Sequence, residues 1–130
     1  MGVTYVPVTV KGASGRRVRV RMLVDSGASY ALLPEKIWKR LKLKPVRREN
    51  FELADGRAIS RNVSECHVTL GQAFGHTPVI LGEAGDDEPL LGAITLENLG
   101  LVLDPFSRRL LPMRLLLYRQ AAHGSGGTTD

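Results

Sequence analysis

The chain has 130 residues, the size of one domain, with 18 Lys plus Arg against 13 Asp plus Glu and a net charge of +5. At 43% hydrophobic and 24% charged residues it is neither a wholly disordered chain nor a membrane-spanning one, since no apolar run approaches the ~18 residues of a span. Its single cysteine, Cys66, excludes an intrachain disulfide and fits a reducing compartment.

Residues 3–10 alternate around β-branched side chains and predict a strand, followed by a Gly- and Ser-rich turn to Gly15. Arg17, Arg19 and Arg21 alternate with Val18, Val20 and Met22, the pattern of a half-buried strand with a basic outer face. That strand runs through Leu23-Val24 into Asp25-Ser26-Gly27-Ala28. Ala31-Leu32-Leu33 is a short apolar run, and Pro34 opens a helix with Ile37 and Leu41 on one face. Lys42 to Asn50 is expected to be loop or sheet edge. Asp55-Gly56, between two short segments of 51–63, predicts a hairpin with positive φ at both turn positions. Further strands are expected at His67–Leu70 and Pro78–Leu81, then an acidic loop through Asp86-Asp87-Glu88. Leu90-Leu91-Gly92 is a second apolar run, and 93–99 supplies two helical turns stopped by Gly100. Leu101 to Leu103 and Arg109 to Tyr118 are the last expected strands, with Asp104-Pro105 a turn between them. The expected domain is 1–119, with 120–130 a disordered tail. About eight short strands and two short helices make a mostly β fold, closed or sandwiched.

The most informative segment is Leu23 to Ala28. A carboxylate follows buried-looking strand residues, and a hydroxyl and a glycine follow it. Asp-Ser-Gly is good turn chemistry in any loop. Here the strand holds Asp25 rigidly where burial and a second charge can tune it, Ser26 can brace a neighbouring loop, and Gly27 permits a sharp turn.

Taken together, these segments resemble the retropepsin-like aspartic proteases, single-domain dimeric relatives of pepsin, in a bacterial-type member. The resemblance covers roughly residues 3–118. Val24-Asp25-Ser26-Gly27-Ala28 is similar to the active-site loop. Phe51 to Ser60, with its Asp55-Gly56 tip, takes the position of the flap. Leu90-Leu91-Gly92 and the following helix resemble the family's second hydrophobic-Gly element.

The resemblance implies a mainly β, closed β-barrel-like acid protease fold with one or two short helices, assembled as a homodimer. It implies an aspartic endopeptidase with Asp25 as the catalytic residue of each chain, Ser26, Gly27 and Ala28 shaping the loop, and a peptide or protein substrate. Leu53, Ala54, Asp55, Gly56, Arg57 and Ala58 are the expected flap residues, with Leu53 and Ala58 facing substrate. No cofactor or metal is implied. Ala28 stands where many pepsin-like enzymes carry a hydroxyl, so activity is expected to extend to milder pH. Ser29 and Ala93 stand where retroviral members pair an Asp with an Arg, so that brace does not carry over.

Rival uses of the same residues are weaker. Lys36, Lys39, Arg40, Lys42, Lys44, Arg47 and Arg48 form a basic stretch that could contact nucleic acid. With aromatics at 5% no stacking platform accompanies it, and a solvated helix face and loop explain it more simply. Trp38 beside it reads as packing. Cys66 and His67 are adjacent on a strand and point to opposite faces, which removes both a zinc pair and a Cys–His nucleophile. The acidic loop lacks the ligand alternation of a calcium site. A non-catalytic dimeric peptide-binding module on the same fold is the main alternative to the protease. The first ten residues lack a secretory signal, and Val6 stands where a myristoylation motif wants Ser or Thr. The expected location is cytoplasmic, alone or as a soluble domain of a longer precursor.

Overall fold

The structure is a computed structural model that describes residues 3–53 and 55–113. Met1, Gly2, Ala54, the end of the last expected strand and the expected tail lie outside the described residues.

The chain folds into β1 (Tyr5–Lys11), β2 (Arg17–Val24), β3 (Ala31–Leu33), α1 (Glu35–Arg40), β4 (Arg47–Glu52), β5 (Ala58–Leu70), β6 (Ala73–Leu81), β7 (Leu90–Leu91), α2 (Ala93–Asn98), β8 (Leu101–Leu103) and β9 (Leu110–Pro112). Seven strands form one sheet in the order β1-β2-β7-β3-β6-β5-β4. The far half of β5 also pairs with β1, through Thr9↔Thr69, Val10↔Val68 and Lys11↔His67. The hydrogen-bonded order therefore returns on itself, which removes most free edges. β8 and β9 form a separate two-stranded ribbon. Among the described residues, no helix is long and apolar enough to cross a membrane.

The alternation in β2 is borne out: Val18, Val20, Met22 and Val24 are buried, and Arg17, Arg19 and Arg21 are exposed. The core inside the ring joins these to Val8, Val10, Leu33, Val68, Val79, Leu81 and Leu91. Such β-branched and Leu side chains each contribute about 1.5–3 kcal/mol on burial. Thr77 and Thr95 are buried within it and satisfy each other at 2.8 Å. Trp38 does pack: its indole N–H donates to the Gly82 carbonyl at 2.9 Å.

The stretch 42–50 is loop and sheet edge, as expected: β4 begins at Arg47, lies last in the strand order and pairs along β5 from Arg47↔Val63 to Glu52↔Ala58. Two expectations are corrected. The segments around 58–63 and 67–70 are not separate strands but one strand of 13 residues. Among the described residues of the hairpin tip only Gly56 takes positive φ (88°), and Asp55 does not. Leu53 and Arg57 close the turn, with Leu53 N–H donating to the Arg57 carbonyl at 2.8 Å and Gly56 N–H donating to the Leu53 carbonyl at 2.9 Å. This is a wider turn ending on a left-handed glycine, not a two-residue one.

The acidic loop is tied down. Arg61 of β5 donates to Asp86 at 2.7 Å, and Asp86 also accepts the Glu83 N–H at 2.8 Å. The Arg61 hydrogen bond holds the Asp86 carboxyl below its ordinary value of 3.8. A depressed folded value means the pair stabilises above the unfolded value and fades as pH falls through the folded one. Asp86→Asn is expected to cost about 1 kcal/mol at pH 7 in chemical denaturation, and the difference from wild type closes as pH falls from 3.8 through the lowered folded value.

Candidate functional site

β2 delivers Asp25 at its carboxyl end, and β7 lies parallel beside that end, with Leu23↔Leu90 and Val24↔Leu91. The strand end is clamped from two sides. Val24 N–H donates to the Thr4 carbonyl at 2.8 Å, and Asp25 N–H donates to the Leu91 carbonyl at 3.1 Å. The loop then folds over its own carboxylate: Gly27 N–H donates to Asp25 Oδ1 at 3.0 Å and Ala28 N–H to the Asp25 carbonyl at 3.1 Å. Asp25 is half-buried, while Ser26 and Gly27 are exposed.

The second apolar run docks against this loop through its backbone. Ala93 N–H donates to the Ala28 carbonyl at 2.8 Å, and Ile94 N–H to the Ser29 carbonyl at 2.9 Å. Where a side-chain ion pair is missing at Ser29 and Ala93, two main-chain hydrogen bonds tie the same segments. Gly92 makes this approach possible. A Cβ there would lie 2.5 Å from the Tyr30 carbonyl oxygen and 2.9 Å from that of Ser29. Leu91 is fully buried beneath the site and Leu90 lines the cleft above it.

Asp25 opens onto a cleft of about 620 Å³, lined by the loop Gly27–Tyr30, by Leu32, Ile80 and Leu90, and by Asn50, Phe51, Glu52, Leu53 and Ile59 of the hairpin. Its walls are mainly apolar. Of the expected flap residues, Leu53 lines the cleft. Ala58 does not: Ile59 takes that role, paired with Phe51. Asp55, Gly56 and Arg57 form the exposed tip, where Arg57 Nε donates to Asp55 at 2.7 Å. The Arg57 N–H and guanidinium hold the Asp55 carboxyl below its usual range. Ala54 lies outside the described residues.

Tyr30 was not singled out by its sequence context. Its ring meets Phe51 edge-on at 5.4 Å, and its hydroxyl accepts from Arg47 at 3.0 Å and donates to Glu49 at 3.4 Å. Arg47 and Glu49 also pair with each other. The Asp25 side of the cleft is thus joined to the outer hairpin strand through one tyrosine. Arg47 and Arg48, grouped above with a basic stretch, are partly neutralised by Glu49 and Glu83. Glu52 is a second carboxylate in the cleft wall, on the exposed face of β4, and was likewise not anticipated.

A family model described as aspartyl protease matches residues 6–94, from β1 to the start of α2. No curated protein matches the chain. Among solved structures, the solution structure of the simian foamy virus (mac) protease is similar at 15% sequence identity and a TM-score of 0.48, over 70% of this chain and 91% of that one.

Proposed function

We propose, because this chain belongs to the retropepsin-like aspartyl protease family, that it is an aspartic endopeptidase working as a homodimer. The observation that carries the reading is Asp25 itself. It stands half-buried at the end of a doubly clamped strand, orients one oxygen toward the Gly27 N–H, and opens onto an apolar cleft roofed by a hairpin.

Hydrolysis of a peptide by activated water needs one carboxylate to take a proton and another to give one. Each chain contributes one Asp25, and a second copy brings its equivalent. Two carboxylates in contact share a proton, because both cannot ionise cheaply. The ionised one takes a proton from the bridging water, and the protonated one donates to the scissile carbonyl oxygen. The exposed Ser26-Gly27 face is what the second copy would cover. Leu53 and Ile59 would hold an extended substrate against Leu32, Ile80 and Leu90, and main-chain pairing would supply register.

Glu52 is the other carboxylate a single chain could use. Its place on the hairpin, away from the clamped loop, favours a role in substrate contact. Glu52→Gln is expected to retain the turnover number within about threefold while shifting KM. A loss as deep as that of Asp25→Asn would instead make the pair Asp25–Glu52 and remove the need for a dimer.

Digestion of a diverse peptide library between acid and neutral pH, with Asp25→Asn as control, tests the assignment. Cleavage by wild type and none by the variant is the expected outcome. Binding without cleavage would make this a peptide-binding module, and salt-sensitive oligonucleotide binding without cleavage a nucleic-acid domain.

A further inference from the structure

On a different part of the ring, sharing no lining residue with the cleft, lies a pocket of about 440 Å³. Lys11 of β1, His67 of β5 and His76 of β6 stand in one row across three neighbouring strands, in the registers Lys11↔His67 and His67↔His76. All three line this pocket, and Lys42 and Lys44 line its other side. The row continues outward to Arg17, paired with Lys11.

The two loop lysines are placed rather than loose. In the run 41–44 the leucines are buried, Leu41 at 0% and Leu43 at 6% exposure, so Lys42 and Lys44 alternate outward. Lys42 holds a left-handed backbone (φ 57°), unusual for a residue with a side chain. Ser64 Oγ donates to the Lys44 carbonyl at 2.6 Å. The Gly12 turn is pressed so close that a Cβ there would lie 2.6 Å from the Leu41 carbonyl oxygen. Among the described residues, Lys11, Lys42 and Lys44 form no ion pair within 4.0 Å, whereas Lys39, Arg47, Arg48, Arg57 and Arg61 all do. Glu65 is the one carboxylate in the pocket wall. Cys66 adds no charge, since burial pushes its thiol up to about 12. Three unpaired ammonium groups and two imidazoles against one carboxylate, on a fixed frame, suit a compact anion with several oxygens.

We propose that this pocket is an anion site, and that it takes a multivalent oxyanion of the phosphate type, free or carried by a nucleotide. The site is independent of the cleft and of the proteolytic reading.

Amide chemical shifts of the intact chain, titrated at low salt with inorganic pyrophosphate and separately with ADP, test this. Shifts are expected at Gly12, Lys42 to Val46 and Ser64 to His67, with none at Asp25 to Ala28. The exposed double variant Lys42→Asn/Lys44→Gln is expected to weaken binding about tenfold or more. Asn is chosen at 42 because it tolerates the left-handed backbone. Lys11→Gln/Lys44→Gln serves in its place if the first variant is not folded. Arg19→Gln/Arg21→Gln removes as much charge from the outer face of β2, away from the row, and is expected to change affinity by about twofold at most. Equal affinity for the two probes assigns the site to bare phosphate groups, and tighter ADP assigns it to a nucleotide. Absence of binding by both probes overturns the proposal. So does an arginine variant as weak as the lysine one, or shifts scattered over the basic surface, because either means that net charge alone attracts the anion.

Discussion

Asp25→Asn is expected to lower peptide cleavage by about a thousandfold or more while leaving the thermal midpoint within a few degrees of wild type. The substitution keeps the shape of the side chain and an oxygen for the Gly27 N–H to reach. It removes the group that exchanges protons with water. A mixing experiment extends the test to the dimer. Adding excess Asp25→Asn chain to wild type redistributes protomers into mixed pairs holding one carboxylate. Residual activity is then expected to fall well below the simple dilution of active chains, approaching the square of the wild-type fraction. Activity that only dilutes in proportion would mean that each chain works alone, as would activity from a chain that sediments as a monomer throughout. Either result would send the search for the second carboxylate back to Glu52, in the cleft of the same chain.

Gly92→Ala is expected to be the most damaging single-methyl change in the site. The added Cβ would meet the carbonyl oxygen of Tyr30 at 2.5 Å, its carbonyl carbon at 2.6 Å and the Ser29 oxygen at 2.9 Å. These are backbone atoms, held by the Ala93 and Ile94 hydrogen bonds to Ala28 and Ser29, and they cannot swing aside as a side chain would. The two segments must separate, so about 3 kcal/mol or more is lost, a fall of about 10 °C or more in the midpoint of a domain this size. Because the loop that separates carries Asp25, cleavage should fall even at temperatures where the variant remains folded. A Gly92→Ala protein with wild-type melting and wild-type turnover would show that the two segments are not so closely joined.

Local chemistry explains which parts were legible beforehand. The run Val24-Asp25-Ser26-Gly27 announces itself because strand, carboxylate and glycine are contiguous, and Leu90-Leu91-Gly92 for the same reason. The β2 alternation is equally local, and the structure buries the residues it picks out. The hairpin was legible in kind but not in register. A two-residue Asp55-Gly56 turn would set Leu53 opposite Ala58, which places both toward substrate. The wider turn sets Phe51 opposite Ile59 instead. One residue of slip changes which side chain faces inward, and it turns on the φ of Asp55, where Asp and Asn tolerate either sign. Tyr30, Leu32 and Ile80 were not legible at all. They enter the cleft wall because β3 pairs in parallel with β6, Leu32 beside Ile80, a contact between residues far apart in sequence. Glu52 and the Lys11–His67–His76 row are products of register in the same way.

The length of β5 has a dynamic consequence. Its first residues carry the hairpin over the cleft, and its last are hydrogen-bonded to β1 and β6 around buried Val68. Tip and core are therefore one continuous lever without a joint between them. Amide protection against deuterium exchange should climb steadily along the strand, from fast exchange at Ile59 to the slowest class near Val68, rather than step at a hinge. Opening of the cleft would then be a bending mode whose stiffness is set by the packing at its far end, so a core substitution near Val68 would be felt as a change in how readily substrate enters.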